Sequence, residues 1–317
     1  MYRPEIKVLD CTIRDGGLIN NWQFTDDFVR KVFKATEESG VDYSEIGYKS
    51  STKLFTPGEF GKWKFCEEQH VKDILGDGPR KIKLSAMADI GRIEYDDILP
   101  CSESVLDMIR VACYVKDIDK ALDMIKHLTE KGYETTINIM AVSIAKDADV
   151  DEALRQIAEE CTTKAVYVVD SFGSLYSEPV HFLVNKYKRI LGPKGIEVGF
   201  HGHNNLQLAF ANTIEAIRKG ANFLDATISG IGRGAGNCPL ELLLGFLKNP
   251  KFDIRPILKI LEEDFIDLRN NIEWGYLIPY MITGARNEHP RSAMKIRATK
   301  DKDKYLDFYN SLEDTPI

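Results

Sequence analysis

The sequence predicts a closed (β/α)8 barrel, a TIM barrel, followed by a C-terminal helical extension. Three observations carry that prediction. Eight short apolar runs rich in β-branched residues recur up to residue 229, helix-patterned segments separate several of them, and the units together match the roughly 250 residues that such a barrel needs. An open doubly wound sheet is the rival architecture for the same alternation.

The strand candidates are, in order, IKVLDCT (6–12), VDYSEIG (41–47), KIKLSAMAD (81–89), MIRVACYV (108–115), TTINIMAV (135–142), AVYVVDS (165–171), IEVGFHGH (196–203) and FLDATIS (223–229). Thr25 and Asp26 are capping residues ahead of FVRKVFKATEESG, which Gly40 ends. DIDKALDMIKHLTEKG and NLQLAFANTIEAIRKG show the same helical period and glycine stop. After Lys248 the pattern turns helical throughout, interrupted by Pro256 and Pro279, with a polar tail. This places the barrel in residues 1–250 and the extension in 251–317, with no internal repeat or low-complexity linker.

Composition narrows the partners. The net charge of −7 over 317 residues contains no basic run, which argues against nucleic acid or an anionic membrane and for a small molecule. Cysteines 11, 66, 101, 113, 161 and 238 form no CxxC pairs and read as buried thiols suited to a reducing cytoplasm. No apolar run approaches the roughly 20 residues that span a bilayer, and the N-terminus lacks a signal core, so a cytoplasmic location is expected.

Chemistry in such a barrel gathers at the C-terminal ends of the strands. Strand 1 ends in Arg14 and Asp15, strand 2 carries Glu45, strand 6 ends in Asp170 and Ser171, strand 7 ends in His201 and His203, and strand 8 runs into GIGRGAGNCP. His201 and His203, at i and i+2, share a strand face, and a closed ring with strands about 4.8 Å apart brings Asp15 within reach of the same point. Two imidazoles and a carboxylate make a facial set that leaves positions open, as a catalytic divalent metal requires; the bland reading of an HxH pair is a hydrogen-bonded core feature. Asn237 is either a fourth oxygen ligand or an N-cap ahead of Pro239. The GxGxxG-like run follows the last strand and lacks a later acidic strand end, so no nicotinamide cofactor is expected. Arg14 should share the face of Asp10 and Thr12 and point into the mouth, where its fork suits a carboxylate or enolate oxygen; the structural alternative is an ion pair with Asp170 or Glu45. Arg110, mid-strand, suits a structural pair. A Schiff-base lysine is not expected, since Lys164 precedes its strand and Lys49 and Lys116 lie just outside theirs.

TIRDGG (12–17), EIG (45–47), DSFG (170–173), HGHNN (201–205) and GIGRGAGNCPLE (230–241) together resemble the DRE-TIM metallolyases, the HMG-CoA lyase-like and 4-hydroxy-2-oxovalerate aldolase-like enzymes that share the pyruvate carboxyltransferase-type domain. The resemblance implies that Asp15, His201 and His203 ligate a divalent metal, with Asn237 the fourth site of some members. Manganese or magnesium is the first choice, with cobalt or zinc compatible. It also implies that Arg14 stabilises a pyruvate-like enolate, that Ser171 and Glu45 bind the 2-oxo acid, and that Tyr280 matches a catalytic C-terminal tyrosine, although an aromatic in an apolar helix also reads as core. An aldolase-type lyase acting on a 2-oxo acid and an aldehyde is therefore expected, with a Claisen-type acyl transferase or a non-catalytic metal-binding barrel as alternatives.

The sequence departs from the pattern at Leu18, where the 4-hydroxy-2-oxo acid aldolases carry a histidine base, leaving His289 and Tyr48 as weaker substitutes. It lacks the long regulatory region of the acyl-CoA synthases and the central-strand lysine of the carboxyltransferases. Resembling aldolases dock an acylating aldehyde dehydrogenase; the shorter tail here argues against that partner and leaves homodimerisation through the C-terminal helices as the expectation.

Overall fold

A computed structural model describes residues 2–312. The strands are β1 Lys7–Asp10, β2 Tyr43–Tyr48, β3 Lys83–Asp89, β4 Met108–Cys113, β5 Glu134–Ile139, β6 Ala165–Asp170, β7 Glu197–Gly202 and β8 Phe223–Ala226. They pair in parallel and in order, and β1 joins β8 with Lys7 opposite Phe223, so the sheet closes into the expected barrel. All eight lie on the predicted runs. Their nearly continuous burial is what a parallel sheet covered by helices requires.

The helices are α1 Thr12–Asn20, α2 Asp26–Glu38, α3 Glu68–Leu75, α4 Ile118–Glu130, α5 Asp147–Glu160, α6 Ser177–Leu191, α7 Ala209–Lys219, α8 Leu240–Leu247, α9 Arg255–Ile260, α10 Ile266–Asn271, α11 Ile278–Ala285, α12 Arg291–Arg297 and α13 Tyr305–Ser311. Thr25 caps α2 as predicted, accepting a hydrogen bond from the Phe28 N–H at 3.2 Å. Pro256 and Pro279 sit in the first turns of α9 and α11, so they begin helices rather than interrupt them.

The main departure is at the first motif. β1 stops at Asp10, and Arg14 and Asp15 lie on α1 rather than on an extended strand face shared with Asp10 and Thr12. The Asp10 carboxylate accepts from the Thr12 N–H at 3.3 Å, and Thr12 Oγ1 accepts from the Ile228 N–H at 2.8 Å, which turns the chain under the Gly-rich loop. Gly17 lies inside α1, and a Cβ there would lie 2.1 Å from the Trp22 ring, so it is the close approach of that indole that demands glycine.

The chain after the barrel divides in two. Residues of α9 to α10 pack on the barrel's helical jacket, with Phe265 5.6 Å from Phe28 and Lys31 bonded to Asp264 at 2.8 Å. Beyond them, Tyr280, Ile282, Ala293 and Phe308 form a separate small core with Ala235 of the Gly-rich loop. This second part reaches across to the barrel mouth: Asn287 accepts from Ser174 Oγ at 2.7 Å and donates to the Ser143 carbonyl at 3.1 Å.

Candidate active site

The ends of β1, β7 and β8 bring Asp15, His201, His203 and Asn237 together. His201 Nε2 lies 3.5 Å from Asp15 Oδ2, and His203 Nε2 lies 3.8 Å from Asp15 Oδ1. One ligand atom from each of these three residues falls within 4.8 Å of the other two. Asn237 is paired to His203 by an antiparallel bridge and donates its Nδ2 to the Ile231 carbonyl at 3.0 Å. It does not cap α8, whose N-cap is Pro239. Gly232 allows this convergence, because a Cβ there would lie 2.1 Å from Asn237 Nδ2 and 2.8 Å from Asp15 Oδ1.

The donor set fits a cation. The His201 Nδ1–H donates to Asp225 at 3.0 Å and the His203 Nδ1–H donates to the Asp170 carbonyl at 3.0 Å, which fixes both tautomers and turns both Nε2 lone pairs inward. His201 Nε2, His203 Nε2 and Asn237 Oδ1 are buried without hydrogen-bond partners. Three lone-pair acceptors thus face a carboxylate, an arrangement that a divalent ion would satisfy. Burial drives His203 down to about 3, against the pull of Asp15, so it is neutral and able to ligate. Burial would raise the Asp15 carboxyl, but the Arg14 guanidinium and the two imidazoles hold it well below the usual carboxylate range. On His201 burial disfavours charge, yet Asp15 and Asp225 outweigh it and shift the imidazole upward.

A buried charge lattice supports this set from below. Arg14 Nε donates to Glu45 at 2.7 Å, and Arg14 also pairs with Asp15. Arg110 donates to the same Glu45 oxygen at 2.9 Å and to Asp225 at 2.8 Å. Arg110 therefore has the structural part expected of it, and the Arg14 pair predicted with Glu45 forms while that with Asp170 does not. Asp170 instead accepts from the N–H groups of Ser174 and Leu175, at 3.0 and 3.2 Å. Glu45 keeps its second oxygen buried and unpartnered. Two guanidiniums against the carboxylates of Asp15, Asp225 and Glu45 leave one negative charge, which a divalent ion would turn into one positive charge. A second cluster, Cys11, His201 and Asp225, also meets the spacing for a metal. Arg110 already supplies its cation, contacting Cys11 Sγ at 3.7 Å.

Ser171 and Tyr280 stand apart from this group. Ser171 Oγ accepts from the Ala141 N–H at 2.8 Å and so braces the loops after β5 and β6. Tyr280 is 5% exposed in the small C-terminal core, and the charges that bear on its hydroxyl are Glu273 and Arg297 rather than the metal set. Leu18, one turn beyond Asp15, is half-buried against the main core.

Sequence reasoning passed over two cations here. Lys64 is 3% exposed, with its ammonium 4.2 Å from the ring centres of Trp22 and Tyr48 and 4.3 Å from that of Phe55. Nothing in GKWKFC marks it, since the cage comes from three separate segments. Arg233 donates its backbone N–H to Asp15 Oδ1 at 3.3 Å and its NH2 to the Ser171 carbonyl at 3.1 Å. Its signal was present, as the one charged side chain within GIGRGAG.

The chain is similar to several known proteins. The chain is 33% identical over 243 residues to the oxaloacetate decarboxylase of Mycobacterium tuberculosis, covering 76% of this chain and 69% of that protein. It is 30% identical over 267 residues to a 4-hydroxy-2-oxovalerate aldolase of Bacillus cereus, covering 82% and 76%. Among solved structures it superposes on the N-terminal domain of a provisionally assigned aldolase from Bacteroides vulgatus with a TM-score of 0.77 at 30% identity, covering 95% of this chain and all of that one. The HMGL-like family model matches residues 5–262, which hold the whole barrel and every motif noted above, and the chain belongs to the HMGL-like family.

Proposed function

We propose that this protein is a divalent-metal-dependent carbon–carbon lyase of the aldolase type, acting on a 2-oxo acid through a pyruvate-like enolate. The observation that carries the reading is the pair of buried, unpartnered Nε2 atoms facing Asp15 with Arg14 beside them. The names of the relatives support it, since loss of a 4-hydroxy-2-oxo acid's aldehyde and loss of a β-carboxylate both leave a three-carbon enolate.

When bound to Asp15, His201 and His203, with Asn237 as a further oxygen, the ion would polarise the substrate's keto group as a Lewis acid. Arg14 holds a positive charge next to the oxygen that becomes anionic, and Glu45 and Asp15 fix its fork so that little reorganisation is needed. Arg110 and Asp225 hold Glu45 and His201 in turn. The site is walled by buried groups, so these charges act in a low dielectric. We place the reaction in the cytoplasm, where six unpaired thiols are at home. Among the described residues no helix is long and apolar enough to cross a membrane. Homodimerisation through the C-terminal helices, where Tyr305, Leu306 and Tyr309 are exposed, belongs to the same proposal and is read by light scattering.

The test is calorimetric. Oxalate, a mimic of the enolate, should bind the manganese-loaded protein and not the chelator-stripped one. Absence of binding to either would favour a barrel that has lost its chemistry, the reading that Leu18 supports.

A further inference from the structure

Above the proposed metal set, Arg233 and His289 meet without satisfying each other. Arg233 is half-buried, and its guanidinium makes no ion pair among the described residues. Its NH2 rests on the neutral Ser171 carbonyl, and its Nε is buried with no partner. Its NH1 lies 3.5 Å from His289 Nε2. The shorter contact of that ring is at Nδ1, which accepts from the Arg291 N–H at 3.1 Å; the neutral tautomer that this bond selects carries its proton on Nε2, so that NH1 faces a donor there. Burial, reinforced by Arg233 and Arg291, pushes His289 down to about 4 and keeps it neutral. Two N–H donors therefore face one another, with an unpartnered third on the same guanidinium. Such an arrangement costs free energy unless an anionic acceptor lies between them.

The placement says what that acceptor belongs to. The Arg233 backbone N–H is on Asp15, and its side chain rests on Ser171, the residue next to the Asp170 carbonyl that orients His203. The donors thus stand at the rim of the proposed metal site. The Phe172 ring, 5.6 Å away edge to face, fixes the His289 imidazole. One positive charge and a few N–H donors match a carboxylate better than a phosphate dianion.

Resting on the function proposed above, we propose that Arg233 and His289 form a second subsite that binds a distal carboxylate, so that the substrate is a 2-oxo dicarboxylic acid. The bound carboxylate is kept through the reaction rather than lost. A cation that binds carboxylate and has no charge to hold in departing carbon dioxide stabilises the ground state over the transition state for that loss. The substrate then carries a 4-hydroxyl, and the bond cleaved is C3–C4: its electron pair passes to the pyruvoyl half as the enolate, the 4-hydroxyl gives up its proton to become the carbonyl of an oxo acid that carries the carboxylate away, and a proton returns to C3 to give pyruvate.

The experiment is calorimetric titration of the manganese-loaded full chain with 2-oxoglutarate and with 2-oxopentanoate, which differ in the distal carboxylate. The wild type should favour 2-oxoglutarate by roughly 10- to 100-fold, the worth of a charge-assisted hydrogen bond or two. Arg233→Gln and His289→Leu should bring that ratio down towards unity, and Arg233→Lys should recover part of it. A ratio between two ligands on one variant is insensitive to a generally loosened site. A wild-type ratio near unity with oxalate still bound, or a ratio unchanged in Arg233→Gln, overturns the second subsite alone. Failure of oxalate to bind overturns both this subsite and the function on which it rests.

Discussion

At the scale of single residues, the site is a set of charges held in place by other charges. Asp225 touches His201 and Arg110 but does not face the ligand position, so Asp225→Asn should weaken metal binding roughly 10- to 100-fold, measured by competition with a chelator. Glu45→Gln leaves Arg14 and Arg110 buried without their shared anion and should cost about 3–5 kcal/mol in a denaturant titration, whereas an exposed pair such as Lys120 with Asp117 should cost little. Lys64 gives a pH signature. Burial pushes its ammonium down to about 8 in the folded protein, below the usual value near 10.4, so the folded state releases its proton first. Stability of the wild type relative to Lys64→Met should therefore rise with pH between about 8 and 10 and be flat below that window. Asp15, His201 and His203 are legible in the sequence because an i, i+2 pair on a strand and an acidic residue after another strand must converge in a closed ring. Arg233 with His289 and the cage around Lys64 are not. Each depends on side-chain directions from segments distant in sequence, and no periodicity encodes those.

At the scale of elements, all eight strands are visible as β-branched runs, because a parallel barrel buries both faces of each strand. Helix α1 is not, since TIRDGGLIN contains two glycines and little intrinsic helical tendency. Tertiary contacts override that: Thr12 receives the Ile228 N–H, and the Trp22 indole donates to the Arg14 carbonyl at 3.0 Å. The two glycines should respond differently to the same change. Gly16→Ala meets only the Ile231 side chain at 3.3 Å and should be tolerated or mildly stabilising by about 1 kcal/mol through helix propensity. Gly17→Ala drives a methyl into the Trp22 ring and should cost about 1–3 kcal/mol while disturbing Arg14. Thermal melts and oxalate titrations of the pair check both statements.

At the scale of the whole molecule, an ion in the proposed site would offset the negative balance of the buried lattice. Manganese should raise the melting temperature in a concentration-dependent way, and Asp15→Ala should abolish that response, as read by scanning calorimetry. The C-terminal helices belong to the same unit as the mouth, since Asn287 ties them to the loops after β5 and β6. The pairing of Lys7 with Phe223 also bears on how the protein is born. The first strand to leave the ribosome keeps one edge open until the last arrives, on the order of ten to forty seconds later at ordinary rates of synthesis. Throughout that interval the nascent chain carries two bare strand edges, and only the arrival of β8 removes both at once.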